Sequence, residues 1–164
     1  MLPVVALATA LIALPASATV ANIQNIRTST PFLAELIADT RAHSQTFAEM
    51  FDRVERSDVI VYFEPSQRAD SGLRGCVHFM GTAGRYRYIR AQIKTLMNRF
   101  DVVASLAHEL QHAIEIADHP EVRSEESLAE LYRRIGSERE WRMFETDRAQ
   151  TTGRAVRAEV LAAP

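Results

Sequence analysis

Apolar residues recur at three- and four-residue steps in several stretches of the chain, which is the period of an amphipathic helix. The clearest stretch runs from Asp101 to Asp118, with Asp101 as a candidate N-cap and Pro120 as a stop. The apolar stripe that we expect to face the core is formed by Val103, Leu106, Ala107, Leu110, Ile114 and Ala117. The opposite side, which must face either water or a cleft, carries Ala104, Ser105, His108, Gln111, His112 and Glu115.

Two helices are predicted before this stretch. Thr30 followed by Pro31 is typical of an N-cap and a first helical turn. Ser44 is placed to cap a second helix, on which apolar residues return at helical spacing. Each helix therefore has one face to bury against a core.

Two more helices are predicted after it. Ser124 begins one that ends at Gly136. Ser137 and Glu140 have the spacing of a capping box, so we expect the last helix to start there and to run through Glu145 towards the C-terminus.

Between the first pair of helices and the central one, the period changes to that of strands. The run from Val59 to Phe63 is β-branched and aromatic, and the runs Gly75 to Met80 and Arg85 to Ile93 are joined by a glycine-containing hairpin turn. This order of elements predicts an α+β domain with a small, three-stranded, mainly antiparallel sheet packed on helices.

The third predicted strand is rich in arginine. Arg85, Arg87 and Arg90 alternate with tyrosines, which suggests an edge strand exposed to water. Charge on such an edge prevents pairing with other chains.

Composition limits the classes of function. The 164 residues are 47% hydrophobic and 24% charged with a net charge of -2, which indicates one soluble globular domain and gives no support to nucleic-acid binding. Cys76 is the only cysteine, so no intramolecular disulfide forms. We expect a small buried side chain there, the alternative being a nucleophile with His78 as its base.

The first residues resemble a leader. No charged side chain occurs from Leu2 to Val20, and Ala16-Ser17-Ala18 has the small-residue pattern of a signal-peptidase site, although no Lys or Arg precedes the apolar run. We expect a signal peptide at residues 1–18 and a single domain at 19–164, exported to the periplasm, the envelope or the medium. No stable membrane span is expected after processing; the alternative is an uncleaved anchor helix.

The central helix carries an HExxH motif. His108 and His112 lie one helical turn apart, ~6 Å along the axis, which is the spacing at which two imidazoles hold one tetrahedral zinc ion, Zn²⁺. Glu109 would flank the metal and could take a proton from a zinc-bound water, whose pKa the metal lowers to ~7. A motif fixed at three positions also arises by chance, in which case these side chains form a solvated face.

The motif resembles that of the zincin metallopeptidases of the glutamate (gluzincin-like) type. The resemblance implies that His108 and His112 are zinc ligands, that Glu109 is the general base, and that the substrate is a peptide or protein. It also implies that an edge strand ahead of the motif binds substrate through main-chain hydrogen bonds, a second interpretation of the arginine-rich strand. The chain is also similar to a group of small exported bacterial HExxH proteins, a similarity that carries no activity.

Two histidines do not complete a zinc site, and the glutamate-type resemblance implies a third ligand on a downstream helix. Glu145 fits in position and residue type, the alternative being an ion pair with Arg142 or Arg148. Other acids are less suitable: Glu115 overshoots the metal along the helix axis, and Asp118 points away from the histidine face.

The resemblance also implies a side chain that stabilises the oxyanion. Tyr86, Tyr88, Tyr132 and His119 are candidates by residue type alone. The sequence therefore predicts a zinc-dependent peptidase or peptidase-like hydrolase. The alternative is a non-catalytic envelope binding or scaffold protein, with a structural zinc site or none.

Overall fold

The computed structural model describes residues 24–66, 74–138 and 144–164. The helices in these ranges are α1 (Pro31–His43), α2 (Gln45–Glu55), α3 (Arg99–Asp118), α4 (Glu125–Ile135) and α5 (Asp147–Ala162). The strands are β1 (Ile26–Arg27), β2 (Val59–Pro65), β3 (Gly75–Ala83), β4 (Tyr86–Ile93), β5 (Ser137–Glu138) and β6 (Phe144–Glu145). The predicted signal peptide at 1–18 lies outside the described residues, and none of the helices described has the length and apolarity of a membrane span.

The predicted α+β class is confirmed, but the predicted sheet is wrong in detail. The three predicted strands are present, and β1 adds a fourth, in the order β1-β2-β4-β3. The sheet is mixed rather than mainly antiparallel, because β2 pairs in parallel with both β1 and β4, and only β3 pairs antiparallel to β4. The pattern could not show this, since β1 has only two residues and the relative direction of two paired strands is not written in their own residues.

The prediction that the arginine-rich strand forms an exposed edge is also wrong. The strand β4 lies between β2 and β3, and β3 forms the edge of the described sheet. Arg87 shares the inner face of β4 with Ile89, Ala91 and Ile93, and its side chain is 1% exposed. A buried guanidinium requires partners for its donors.

The partners of Arg87 are the Asp58 carboxylate and carbonyl groups at the end of α3, the helix that carries the HExxH motif. Its Nε and Nη2 atoms donate to the two carboxylate oxygens of Asp58 at 2.8 and 2.6 Å. Its Nη1 atom donates to the carbonyl oxygens of Ile116, His119 and Val122 at 2.8, 2.7 and 3.3 Å. The carbonyl groups at a helix C-terminus have no partners within the helix, so Arg87 anchors the end of α3 to the sheet.

The helix α3 lies at the centre of the domain. It contacts β2, β3 and β4 and also packs along α5. Its predicted apolar stripe is buried, apart from the half-buried Ala117. Most polar side chains in the middle of the helix are buried as well, namely Ser105, Glu109, Gln111, His112 and Glu115. The polar face is therefore packed within the protein rather than solvated.

Most predicted helix ends are confirmed. Ser44 accepts a hydrogen bond from the backbone N–H of Phe47, and Ser124 forms a reciprocal capping box with Ser127. The helix α3 begins earlier than predicted, because Asn98 rather than Asp101 is its N-cap and accepts from the N–H of Asp101.

The predicted start of the last helix is wrong. Ser137 lies in β5 instead of capping a helix, and α5 begins only at Asp147, where the side chain of Thr146 accepts from the N–H of Ala149. Thr146, rather than Ser137, is therefore the N-cap of the last helix.

We expect Asp58→Ala to lower the free energy of unfolding by about 3 kcal/mol, because it leaves the buried Arg87 guanidinium without its carboxylate. Chemical denaturation at neutral pH measures this. Burial works against the ionised form of Asp58, but the hydrogen bond and charge of Arg87 outweigh it and lower its pKa. The stabilisation is therefore present above about pH 4 and is lost as the pH falls further, so the variant and the wild type should converge in acid.

The matched control is Asp52→Ala, which breaks the Arg41–Asp52 pair, whose side chains are 47% and 46% exposed. An exposed pair contributes less than about 1 kcal/mol. Equal losses in the two variants would contradict the anchoring role of Arg87.

Candidate metal centre

The helix α3 brings the two motif histidines together. The Nε2 atoms of His108 and His112 are 3.1 Å apart, and the rings meet edge to face with centroids 4.7 Å apart. This is the arrangement expected of residues four apart on one helical face. Both rings direct a nitrogen to the same point.

Glu145 lies beside the two histidine nitrogens, but the prediction that it lies on a helix is wrong. It belongs to the short strand β6, immediately before the cap of α5. Its Oε1 atom is 3.8 Å from Nε2 of His108, and its Oε2 atom accepts a hydrogen bond of 2.5 Å from Gln150. Within the described residues no arginine pairs with Glu145; Arg142, one of the two predicted partners, lies outside them.

Two other polar side chains at the end of α3 have partners elsewhere. Asp118 pairs with Arg53 at 2.5 Å, on the outside of the protein. His119 lies 3.0 Å from Glu121, beyond the end of α3. Neither side chain approaches the histidine pair.

Glu115 supports His112 from behind. Its Oε2 atom is 2.7 Å from Nδ1 of His112, and its Oε1 atom accepts a 2.7 Å hydrogen bond from the hydroxyl of Thr146. A carboxylate on one ring nitrogen fixes the tautomer and leaves the other nitrogen to bind a ligand. Burial opposes protonation of His112, but the bond to Glu115 outweighs it and raises the His112 pKa. Sequence reasoning missed this role, although Glu115 stands three residues after His112 on one face.

His108 has the opposite protonation tendency. Burial and the charge of His112 lower the pKa of His108 to about 4. The imidazole is therefore neutral at neutral pH, which is the form that binds metals.

Glu109 is buried on the sheet side of the pair. It is 2% exposed, and its Oε2 atom has no hydrogen-bond partner in the described structure. Burial raises its pKa to about 7, so the carboxyl group can take up and release a proton near neutral pH. An unpaired buried carboxylate oxygen is costly, and such groups occur where a ligand or water completes them.

Gly75 makes room for this carboxylate. A Cβ atom at Gly75 would lie 2.3 Å from Oε1 of Glu109 and 3.0 Å from the carbonyl oxygen of Gln92. Any other residue at the start of β3 would therefore displace Glu109. Sequence reasoning took Gly75 only as a strand boundary.

Gly153 allows α5 to approach α3 closely. A Cβ atom there would lie 2.8 Å from the carbonyl oxygen of Ala104 and 3.6 Å from Cβ of His108. Thr146, Gln150 and Gly153 thus place one end of α5 along the histidine pair.

The site opens into a cleft of about 350 Å³. His108, Glu109 and Glu145 line its floor, and Arg74 and Arg154 also contribute to its walls. The cleft is large enough for a few residues of a substrate beside the histidine pair.

The residues can be compared with the needs of a zinc ion. Ligand atoms ~2.0–2.1 Å from a tetrahedral zinc are about 3.3 Å apart, close to the 3.1 Å between the histidine nitrogens. The 3.8 Å between Nε2 of His108 and Oε1 of Glu145 is about 0.5 Å longer than that separation. In the described ranges no three His, Cys, Asp or Glu side chains already converge as a metal-binding group, but the donor types fit zinc.

One of the four candidate oxyanion residues lies at the site. The ring of Tyr132 meets His112 edge to face at 5.1 Å. Its buried hydroxyl has no partner among the described atoms, and burial, together with the charges of Glu115 and Glu109, raises its pKa well above the ordinary value. His119 and Tyr86 make other contacts, with Glu121 and with Arg85.

Cys76 does not lie in the core as expected. It is half-buried on β3, with its Sγ atom 3.4 Å from Nε2 of His78. Nδ1 of His78 is in turn 3.7 Å from Glu125. This pair belongs to the edge strand and not to the histidine cleft.

Comparisons with protein-family profiles, with curated proteins and with solved structures give no match for this chain. The function is therefore argued from the geometry of the site.

We expect Gly153→Ala to lower the free energy of unfolding by ~1–3 kcal/mol, because the new methyl group would overlap the Ala104 carbonyl. Helix propensity alone predicts the opposite sign, since alanine is better than glycine in a helix by up to about 1 kcal/mol. Thermal or denaturant unfolding decides the sign. A variant as stable as the wild type would show that α5 does not need this close approach.

Proposed function

We propose that this protein is a zinc-dependent peptidase or peptidase-like hydrolase that acts outside the cytoplasm. The observation that carries the proposal is the contact between the His108 and His112 nitrogens beside a buried Glu109 whose Oε2 atom has no partner in the described structure, with the Glu145 carboxylate 3.8 Å from His108. The leader-like first residues support the location.

Each side chain has a separate task in the proposed reaction. His108, His112 and Glu145 would hold a zinc ion, which would supply a Lewis acid at the substrate carbonyl. Glu109 would take a proton from the attacking water and give it to the leaving nitrogen. Burial raises the pKa of Glu109 to about 7 without a metal, and a zinc ion beside it would lower that pKa and favour the carboxylate form that accepts the proton.

The free edge of β3 offers backbone groups with which a peptide substrate could pair. Lys94 donates its N–H to the carbonyl of Arg74, which sets the antiparallel register between β3 and β4. The backbone groups of Gly75, Val77 and Phe79 then point towards the other side of β3, where a peptide could add as a further strand. The substrate-binding edge of the proposal is therefore β3 and not the arginine-rich β4.

Part of this edge is covered by a side chain. The N–H of Phe79 donates to Oε1 of Glu125 at 3.1 Å. A bound peptide would therefore pair with the strand near Gly75, against Glu109, and would end or bend before Phe79. The proposed substrate segment is short.

We expect Glu145→Ala to weaken zinc binding at least about a hundredfold, because it removes one of three protein ligands. Zinc titration with a competing chromophoric chelator measures the affinity. Asp118→Ala is the control, since it removes a carboxylate that pairs with Arg53 away from the site.

Glu115→Ala is not a neutral control, because loss of its bond to His112 should itself cost ~10–100-fold in affinity. Equal zinc retention by Glu145→Ala and Asp118→Ala would refute the ligand assignment. No zinc in the purified protein, and no effect of a chelator on its melting, would favour the scaffold alternative.

We expect Glu109→Gln to keep its zinc and fold while losing at least about a hundredfold in hydrolysis, because the amide cannot take a proton. Release of fragments from a general protein substrate and from a peptide library measures activity, and metal analysis confirms loading. A zinc-loaded variant as active as the wild type would eliminate Glu109 as the base and, with it, the proposed mechanism.

A further inference from the structure

Two arginines border the cleft without serving the proposed zinc site. Arg74 precedes the start of β3, and Arg154 stands four residues after Gln150 on α5. Residues four apart on a helix share a face, so Arg154 lies one turn from the side chain that bonds Glu145. The two cationic groups thus line the walls of the cleft from opposite elements.

Their cationic charge is poorly matched within the protein. The Nη1 atom of Arg74 is 3.9 Å from Asp101, beyond hydrogen-bond distance, and its side chain is 66% exposed. Asp101 is already contacted by Asn98 and, at 3.4 Å, by Arg157. In the described ranges Arg154 has no carboxylate within ion-pair distance and bonds only to the hydroxyl of Thr151, at 3.3 Å. Both guanidinium groups therefore keep donors for a ligand.

The floor of the same cleft is acidic. Glu109 and Glu145 line it, so an anionic group entering near them is repelled unless cations at the wall compensate. A guanidinium binds a carboxylate through two parallel hydrogen bonds and is the preferred partner for such a group. The cleft thus separates an acidic floor, which suits a metal, from a cationic wall, which suits an anion.

The position of Arg74 limits how far from the scissile bond a bound anionic group can lie on a substrate. The backbone of Gly75 lies against Glu109, and Arg74 is the residue immediately before Gly75. Strand residues are spaced by ~3.3 Å, so a group held by Arg74 belongs to a substrate residue within about two positions of the bond that Glu109 serves.

The geometry points to a carboxylate-binding subsite formed by Arg74 and Arg154, which makes this cleft selective for peptides with a carboxylate within about two residues of the scissile bond. The inference rests on the proposed peptidase function and names its substrate class. The carboxylate is either an acidic side chain or the C-terminal group of the peptide, since both offer the same two oxygens.

Three alanine-glycine hexapeptides of one length distinguish these sources. One has a central Glu and an amidated C-terminus, the second has a neutral sequence and a free C-terminus, and the third is neutral and amidated. Binding to zinc-loaded Glu109→Gln is measured by calorimetry, and hydrolysis by the zinc-loaded wild type is measured in parallel. We expect at least one carboxylate peptide to bind about tenfold more tightly than the neutral amide. The peptide that binds more tightly than the neutral amide shows whether the subsite takes an acidic side chain or a C-terminal carboxylate.

The double substitution Arg74→Gln and Arg154→Gln, made in the Glu109→Gln background, should abolish this preference. Arg56→Gln with Arg133→Gln is the matched control, because it removes the same charge from exposed arginines that do not line the cleft. The ratio of affinities for the carboxylate and neutral peptides is the readout, and a purely structural effect of the substitutions would not change it.

The outcomes separate the subsite from the reaction. Equal binding of all three peptides, or a preference that survives the double substitution, would overturn the subsite even if the wild type hydrolyses peptides. Charge-dependent binding that vanishes in the double variant supports the subsite even if no peptide is cleaved, in which case the catalytic proposal alone fails.

Discussion

The buried guanidinium of Arg87 makes the interaction on which the position of the candidate metal centre depends. It joins a central strand, the Asp58 carboxylate and the free carbonyls at the end of α3 in one set of hydrogen bonds. A helix that crosses a sheet can slide along its apolar surface, because the hydrophobic effect has no direction. Hydrogen bonds do have direction, so Arg87 fixes how far α3 extends and hence where its histidines lie.

The second constraint is the close packing of α5 on the opposite side of α3. Gly153 permits it, and Glu115 uses it, because its carboxylate bonds both His112 and the cap of α5. The polar face of α3 is then buried with partners for most of its groups, which is the condition for burying polar side chains at low cost. The exception is Glu109, whose free oxygen lies where the proposed reaction needs a base.

Local rules predicted what is local. The helix carrying His108 and His112 was predicted because its period and the four-residue spacing are written in consecutive residues. The neighbours of β4 and the burial of Arg87 were predicted wrongly, because an inward arginine looks like an outward one until its distant carbonyl partners are known. Glu145 was chosen by residue type, while its setting in a strand depended on which residue caps α5.

The side chains of the candidate site come from two parts of the chain, α3 and the segment around α5, and this affects how the site forms during synthesis. A nascent chain that has emerged only as far as α4 contains both histidines and Glu109, but it lacks Glu145 and the hydroxyl of Thr146 that holds Glu115. The imidazole pair then has no third donor, and the Glu115 carboxylate beside His112 is not yet held by Thr146. The proposed zinc site would therefore be complete only after the last helix has docked, and the proposed hydrolase would gain activity only at that point.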